Sequence, residues 1–238
     1  MKFKKLIHKK KQALAVLIDP DKFNPELVRL ANFNNVSFFL VGGSKLHKGD
    51  VTKTVRIIKT ISRIPVILFP GDEEQLCENA DGIFILSLIS GRNPEYLIDK
   101  QVRAARTIRD LNLKTFPVAY LLLDGGKTSE TQKITGITPL KNSQNQLIFD
   151  TCLAAQMLGF KAVYLEAGSG ASKSVNTGLI SLIAREVKIP LLVGGGINSE
   201  DKLRKGFKAG ANVMVVGNAL EKNVHLIGEL GSYFKIKK

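Results

Sequence analysis

The stretch Leu191–Asn218, LLVGGGINSEDKLRKGFKAGANVMVVGN, decides the fold. Its short apolar run Leu191–Val193 stops at Gly194, Gly195 and Gly196. The helically spaced segment Glu200–Ala209 then stops at Gly210, and a second apolar run, Val213–Val216, stops at Gly217 and Asn218. Short continuous apolar runs, each bounded by glycine and separated by a helix, are the form taken by strands buried on both faces of a parallel sheet.

The same unit recurs along the chain. Further strands are expected at Leu14–Ile18, Ser37–Val41, Val66–Phe69, Gly82–Leu86, Thr115–Leu122 and Ala162–Leu165. Helices are expected at Pro25–Asn32, Asp50–Ser62, Pro94–Leu111, Gln146–Leu158, Asn176–Glu186 and Ala219–Phe234, with Asp50 as a start signal and Gly159 and Gly210 as stops. Eight strands alternating with helices imply a (β/α)8 TIM barrel, and residues 1–238 suit one such domain. One crossover departs from the pattern. Pro70–Asp81 has room for barely two helical turns, so a stretch of barrel wall is left uncovered, to be patched by another element or to remain as an apolar groove. Asp124–Asn145 is long and polar, the form of a mobile loop at an active site.

Composition narrows the class. An apolar fraction of 44% and a charged fraction of 24% are globular values and exclude disorder. The net charge of +14 favours anionic partners, but tryptophan is absent and no aromatic residues are interleaved with the basic ones, which speaks against nucleic acid. Lysines crowd the two ends, at Lys2, Lys4, Lys5, Lys9, Lys10 and Lys11 and at Lys235, Lys237 and Lys238, a solvated surface or a peripheral contact with an anionic membrane. Cys77 and Cys152 have no partners at disulfide or zinc spacing. The longest apolar runs, Ala13–Ile18 and Ile83–Ile89, are too short to span a bilayer and no export signal is recognised, so a cytoplasmic location is expected.

Catalytic groups of such barrels come from the C-terminal ends of the strands. The glycine turn Gly194–Gly196 and the pair Gly217 and Asn218 at a helix start let backbone N–H groups approach an anion, which suggests a phosphate cradle. Strand six runs into Tyr164-Leu165-Glu166-Ala167-Gly168-Ser169-Gly170-Ala171. Alternation places Tyr164 and Glu166 on one side, and a carboxylate beside an anion site is a candidate general base or a structural ion-pair partner. Asp19, at the end of strand one, is either a Mg²⁺ ligand or the cap of the turn that follows, and Ser44 of Gly42-Gly43-Ser44 offers a hydroxyl to the same ion.

Leu17-Ile18-Asp19-Pro20-Asp21-Lys22, Val41-Gly42-Gly43-Ser44, Phe69-Pro70-Gly71, Tyr164–Ala171, Gly194–Ile197 and Val216-Gly217-Asn218, in that order over nearly the whole chain, resemble the geranylgeranylglyceryl phosphate synthase family. The resemblance implies a modified barrel lacking its third helix and a prenyltransferase. The reaction implied joins a prenyl diphosphate to the 3-hydroxyl of sn-glycerol 1-phosphate, forming an ether-lipid precursor and releasing pyrophosphate. By position, Asp19 and Ser44 stand as the implied Mg²⁺ ligands. Tyr164, Leu165, Glu166, Ala167, Gly168, Ser169, Gly170, Gly195, Gly196, Gly217 and Asn218 stand as the implied glycerol phosphate site, with Glu166 and Tyr164 as its catalytic pair. Val16, Leu17 and Ile18 stand where heptaprenyl-using relatives carry a lysine, which favours geranylgeranyl diphosphate as donor. Family behaviour also implies a homo-oligomer, a dimer or a hexamer. Two other readings use part of the same residues: an isomerase or synthase acting on another phosphorylated substrate, which has no need of the Asp19 corner, and a non-catalytic anion-binding barrel, which needs neither Asp19 nor Glu166. Lys127, in Asp124–Thr128, is either a solvated lysine or a contact for the diphosphate.

Overall fold

The computed structural model describes residues 3–235. Lys2, Lys237 and Lys238 of the basic ends, and the side chain of Lys4, lie outside the described residues. Eight parallel strands, β1 (Ala13–Ile18), β2 (Val36–Val41), β3 (Val66–Leu68), β4 (Gly82–Leu88), β5 (Thr115–Leu122), β6 (Ala162–Glu166), β7 (Leu191–Gly194) and β8 (Val213–Val216), close into a barrel in chain order, with β8 pairing back to β1. Because every strand runs the same way, all eight C-terminal ends meet at one rim. The helices are α1 (Phe3–Leu6), α2 (Pro25–Ala31), α3 (Val51–Ile61), α4 (Lys100–Asp110), α5 (Glu130–Thr135), α6 (Asn145–Met157), α7 (Thr177–Glu186), α8 (Glu200–Lys208), α9 (Asn218–Lys222) and α10 (Leu226–Lys235).

Strand alternation sorts the core into two layers. Residues such as Phe38, Leu40, Ile67, Phe84, Leu122 and Tyr164 point inward and fill the barrel. Their neighbours, among them Phe39, Val41, Leu121 and Leu165, point outward against the helices. The floor is closed by α1, whose Phe3 stacks on Phe116 at 4.8 Å. The basic N-terminus thus carries a structural plug, signalled by the helical spacing of Phe3, Leu6 and Ile7.

Three expectations are corrected. The single helix over Ala219–Phe234 is two, α9 and α10, because Asn223 is extended (φ −147°, ψ 99°) and its side chain accepts from the His225 N–H. The loop Asp124–Asn145 contains α5, capped by Ser129, whose hydroxyl accepts from the Gln132 N–H at 3.1 Å, and ended by Gly136 in the left-handed region at φ 65°. That segment is tied back to the sheet where the Leu140 N–H reaches the Leu122 carbonyl and the Asp124 N–H the Leu140 carbonyl. The helix expected from Pro94 opens as a π-helical turn, Glu95–Asp99, before α4 begins.

Between β3 and β4 no helix forms. β3 is so short that it meets β4 at only two positions, Ile67 with Gly82 and Leu68 with Ile83. Above that point Gln101 of α4 supplies the donor for the Leu86 carbonyl. The uncovered wall is an apolar groove that begins at the rim beside Gly43 and Ser44 and runs down past Phe69, Leu86 and Ile85 to Ile83, Ala104 and Ile108. Its outer side is bridged by polar pairs: Lys100 Nζ meets the Gly71 carbonyl at 2.7 Å and Asp72 at 3.1 Å, and Arg103 joins Glu73 to Glu95.

Phe38 is fully buried inside the barrel. Phe38→Ala should lower unfolding free energy by about 3–5 kcal/mol; a urea titration showing less than about 1 kcal/mol would mean the interior is not packed as described.

Candidate active site

Glu166 is the last residue of β6, and its side chain turns inward beneath the rim with 8% exposure. Tyr164, one inward position below it on the same strand, donates its hydroxyl to Glu166 Oε2 at 2.6 Å, and the Gly168 N–H donates to Oε1 at 2.7 Å. Burial raises the carboxyl pKa, and these two hydrogen bonds, which favour the charged form, only partly offset it. The same burial, together with the nearby Glu166 charge, raises the pKa of Tyr164 well above the ordinary phenol value, so its hydroxyl keeps its proton.

The glycines of the β7 turn exist because of this carboxylate. A Cβ at Gly194 would lie 2.5 Å from Glu166 Oε2 and 2.3 Å from the Tyr164 hydroxyl, and one at Gly195, whose φ is +84°, would lie 2.6 Å from Oε1. Only glycine lets β7 end beside a buried acid. The β6 and β8 loops meet directly, the Gly170 N–H donating to Asn218 Oδ1 at 3.0 Å. The Gly196 carbonyl accepts from Lys202 Nζ at 2.9 Å and Ser174 Oγ at 3.0 Å, fixing the turn between β7 and α8.

The residues expected from the sequence are thus brought together in part. Glu166, Gly168, Gly170, Gly195, Gly196, Gly217 and Asn218 cluster on the β6–β8 sector of the rim, with Ser169 exposed between two glycines. Tyr164 lies one level lower, fully buried. The side chains of Leu165 and Ala167 belong to the layer between sheet and helices, so they face away from the mouth. Lys127 is an exposed loop residue.

Asp19 and Ser44 stand on the same rim, on the β1 and β2 side. Asp19 caps the short 3-10 turn Pro20–Lys22, its Oδ1 accepting from the Asp21 N–H at 3.0 Å, and its Oδ2 lies 3.5 Å from Lys22 Nζ. A Cβ on Gly43 would sit 3.5 Å from Asp19 Oδ1, so the glycine corner bearing Ser44 passes directly beside this carboxylate. Asp21 has a different task. Its carboxylate accepts from the N–H groups of His47, Lys48 and Gly49, and these bonds, that to Lys48 foremost, hold its pKa below the usual carboxylate range. It pins the loop that follows Ser44.

Two side chains that sequence reasoning missed join the halves of the mouth. Thr131 of α5 places Oγ1 3.1 Å from Ser44 Oγ. Tyr120, which lines the same groove as Thr131, packs edge-on against Tyr164, with ring centroids 5.3 Å apart. Ser129, at the start of α5, is buried against Gly168. No spacing signal marks Thr131, since it reaches the site through the folding-back of a loop and not from a strand end.

For a divalent cation the side chains offered are one carboxylate, Asp19, and one hydroxyl, Ser44. Among the described residues no group of three or more His, Cys, Asp or Glu side chains could hold a metal. Such a sparse, all-oxygen set suits Mg²⁺, which commonly takes one or two carboxylates and completes its shell with water and substrate phosphate. Among the described residues no helix is long and apolar enough to cross a membrane.

Known proteins resemble this chain in sequence and in fold. A protein of Zunongwangia profunda named geranylgeranylglyceryl phosphate synthase is 45% identical over 222 residues, 89% of this chain and 92% of its own. One of the same name from Thermococcus kodakarensis is 39% identical over 212 residues, 87% of this chain and 83% of its own. The crystal structure of (S)-3-O-geranylgeranylglyceryl phosphate synthase from Thermoplasma acidophilum in complex with its substrate sn-glycerol-1-phosphate superposes with a TM-score of 0.88 at 28% identity, over 96% of this chain and 95% of that one. Residues 5–231 match the PcrB family, and the chain belongs to that family.

Proposed function

We propose that this protein transfers a prenyl group, geranylgeranyl, from its diphosphate to the 3-hydroxyl of sn-glycerol 1-phosphate. The observation that carries the reading is the juxtaposition, on one rim, of a buried carboxylate beside the glycine turns of β6 and β7 with an acid–hydroxyl pair at the head of an apolar groove. The substrate bound in the Thermoplasma acidophilum relative and the shared name of the curated relatives support it.

In this reading the N–H groups of Gly195, Gly196 and Gly217 and the backbone N–H of Asn218 receive the phosphate of glycerol phosphate, while the Gly170 N–H holds the Asn218 side chain beside them. The prenyl chain lies in the groove between β4 and α4, where burial of its methyl and methylene groups is worth about 0.8 kcal/mol per carbon. Asp19 and Ser44 would hold Mg²⁺, whose chemistry here is to neutralise the charge that develops on the departing diphosphate. Glu166 accepts the proton of the attacking 3-hydroxyl as the new C–O bond forms at the first prenyl carbon and the bond from that carbon to the diphosphate oxygen breaks. Tyr164 stays protonated and holds the carboxylate in place through its hydroxyl. A carboxyl raised by burial is a stronger base than an ordinary glutamate once ionised, which suits removal of a proton from an alcohol.

Incubation with Mg²⁺, labelled sn-glycerol 1-phosphate and a ladder of prenyl diphosphates tests the reading: a labelled ether product with the twenty-carbon donor preferred is expected, and no product from any donor would reject it. Glu166→Gln should lower kcat by roughly 10²–10⁴-fold with glycerol phosphate affinity nearly unchanged. Turnover at the wild-type rate would remove Glu166 from the chemistry. Because the folded-state pKa of Glu166 is raised, the fold favours its neutral form, and ionisation costs stability progressively as pH rises from the ordinary glutamate value through the raised one. Relative to the wild type, Glu166→Gln should therefore gain thermal stability as pH increases towards neutrality, while wild-type activity falls as acid protonates the base. Asp19→Asn keeps an acceptor for the Asp21 N–H but loses the charge, and should cut Mg²⁺-dependent turnover by ~100-fold or more. A metal titration reaching wild-type turnover would contradict the ligand role.

A further inference from the structure

The crossover Pro70–Asp81 lacks a helix but carries one deeply buried polar side chain, Gln75, 3% exposed. Its carboxamide brackets one residue: Oε1 accepts from the Gly43 N–H at 3.1 Å and Nε2 donates to the Gly43 carbonyl at 2.8 Å, while Oε1 also accepts from the Gly71 N–H at 3.5 Å. Reversing the amide would set donor against donor and acceptor against acceptor, so the orientation is determined by both bonds together. Strand pairing cannot do this work. The β2–β3 ladder ends where the Phe69 N–H meets the Val41 carbonyl, and Gly42 beyond it is so close to β3 that a Cβ would lie 2.1 Å from the Phe69 carbonyl oxygen. Gln75 therefore extends the sheet by one rung, using a side chain, at Gly43, the residue that directly precedes Ser44 and lies against Asp19.

We propose that Gln75 is a positioning residue for the prenyl donor, holding the Gly43–Ser44 corner against Asp19 so that the diphosphate end of the donor meets a preformed site. The proposal rests on the reading of Ser44 and Asp19 as the donor end of the mouth. A buried glutamine serving only as filler would not need both of its amide functions on one rim residue, and an apolar residue of similar volume would fill the same space. The glycerol phosphate loops of β6, β7 and β8 stand on the other side of the barrel and make none of these contacts, so the effect of losing Gln75 should be confined to one substrate.

The test uses the intact protein and an unreactive prenyl thiolodiphosphate with Mg²⁺, with affinity read by calorimetry. Gln75→Leu should weaken analogue binding by about tenfold, the equivalent of one to two hydrogen bonds, and leave sn-glycerol 1-phosphate affinity within twofold of wild type. Amide hydrogen exchange over residues 42–46 should accelerate in the same variant. Gln75→Glu supplies a second reading that does not depend on the leucine variant folding. Its neutral carboxyl can make both bonds to Gly43, whereas its carboxylate faces the Gly43 carbonyl with no proton to give. Analogue affinity relative to wild type should therefore recover as pH is lowered from about 8 to about 6, a trend a merely space-filling residue would not show. Analogue binding within twofold of wild type in Gln75→Glu at every pH, and in Gln75→Leu if it folds, overturns the proposal whatever else is found. Ser44→Ala in the same assay separates the two ideas: unchanged analogue affinity there overturns the role given to Ser44, and the Gln75 variants are judged independently of it.

Discussion

A carboxylate buried, among the described residues, without a cation beside it is the constraint around which one half of this molecule is arranged. Glu166 is held by one phenolic hydroxyl and one backbone N–H, and burial still prevails in raising its pKa. Leaving such a group underpaired costs a few kcal/mol, which only function would retain. Its neighbours follow from it. Tyr164 must point inward at the same face of β6, Gly194 and Gly195 must lack side chains, and the β6 loop must turn so that the Gly168 N–H comes back to the strand end.

The parallel barrel does the rest by geometry. Closing β1 to β8 with every strand in the same direction brings Asp19, Ser44, Glu166, Gly195 and Gly217, distant in sequence, to one rim. The shortness of β3 then opens a seam beside β4, so the mouth and the outer wall share one continuous apolar path. A glycine-lined sector beside a buried acid and an apolar groove in the wall are therefore consequences of two local facts, a glycine turn after β7 and a helix absent after β3.

Strand positions were legible because buried parallel strands leave apolar runs with glycine or acid at their ends, and the missing crossover helix showed as a plain shortage of residues. Asp19, Glu166 and the glycine turns stand out for the same reason, as the residues at strand ends. What escaped depends on contacts between segments remote in sequence. Thr131 reaches Ser44 only because α5 folds back over the mouth, and Gln75 looks like any other polar residue of a short polar crossover until its amide is seen against Gly43. Within the Tyr164–Ala171 run, alternation turns the side chains of Leu165 and Ala167 towards the helices. The break at Asn223 between α9 and α10 is set by one residue's extended backbone and carries no glycine or proline to announce it.

The proposed reaction requires the two halves of the rim to bind its two substrates side by side. A crystal structure with sn-glycerol 1-phosphate, an unreactive prenyl thiolodiphosphate and Mn²⁺ in place of Mg²⁺ measures this directly, since the manganese and the phosphorus atoms can be located by their scattering. The account predicts the metal between Asp19, Ser44 and the diphosphate, the prenyl chain between β4 and α4, and the glycerol 3-hydroxyl within hydrogen-bond distance of Glu166. A metal bound elsewhere, or a glycerol hydroxyl directed away from Glu166, would contradict it.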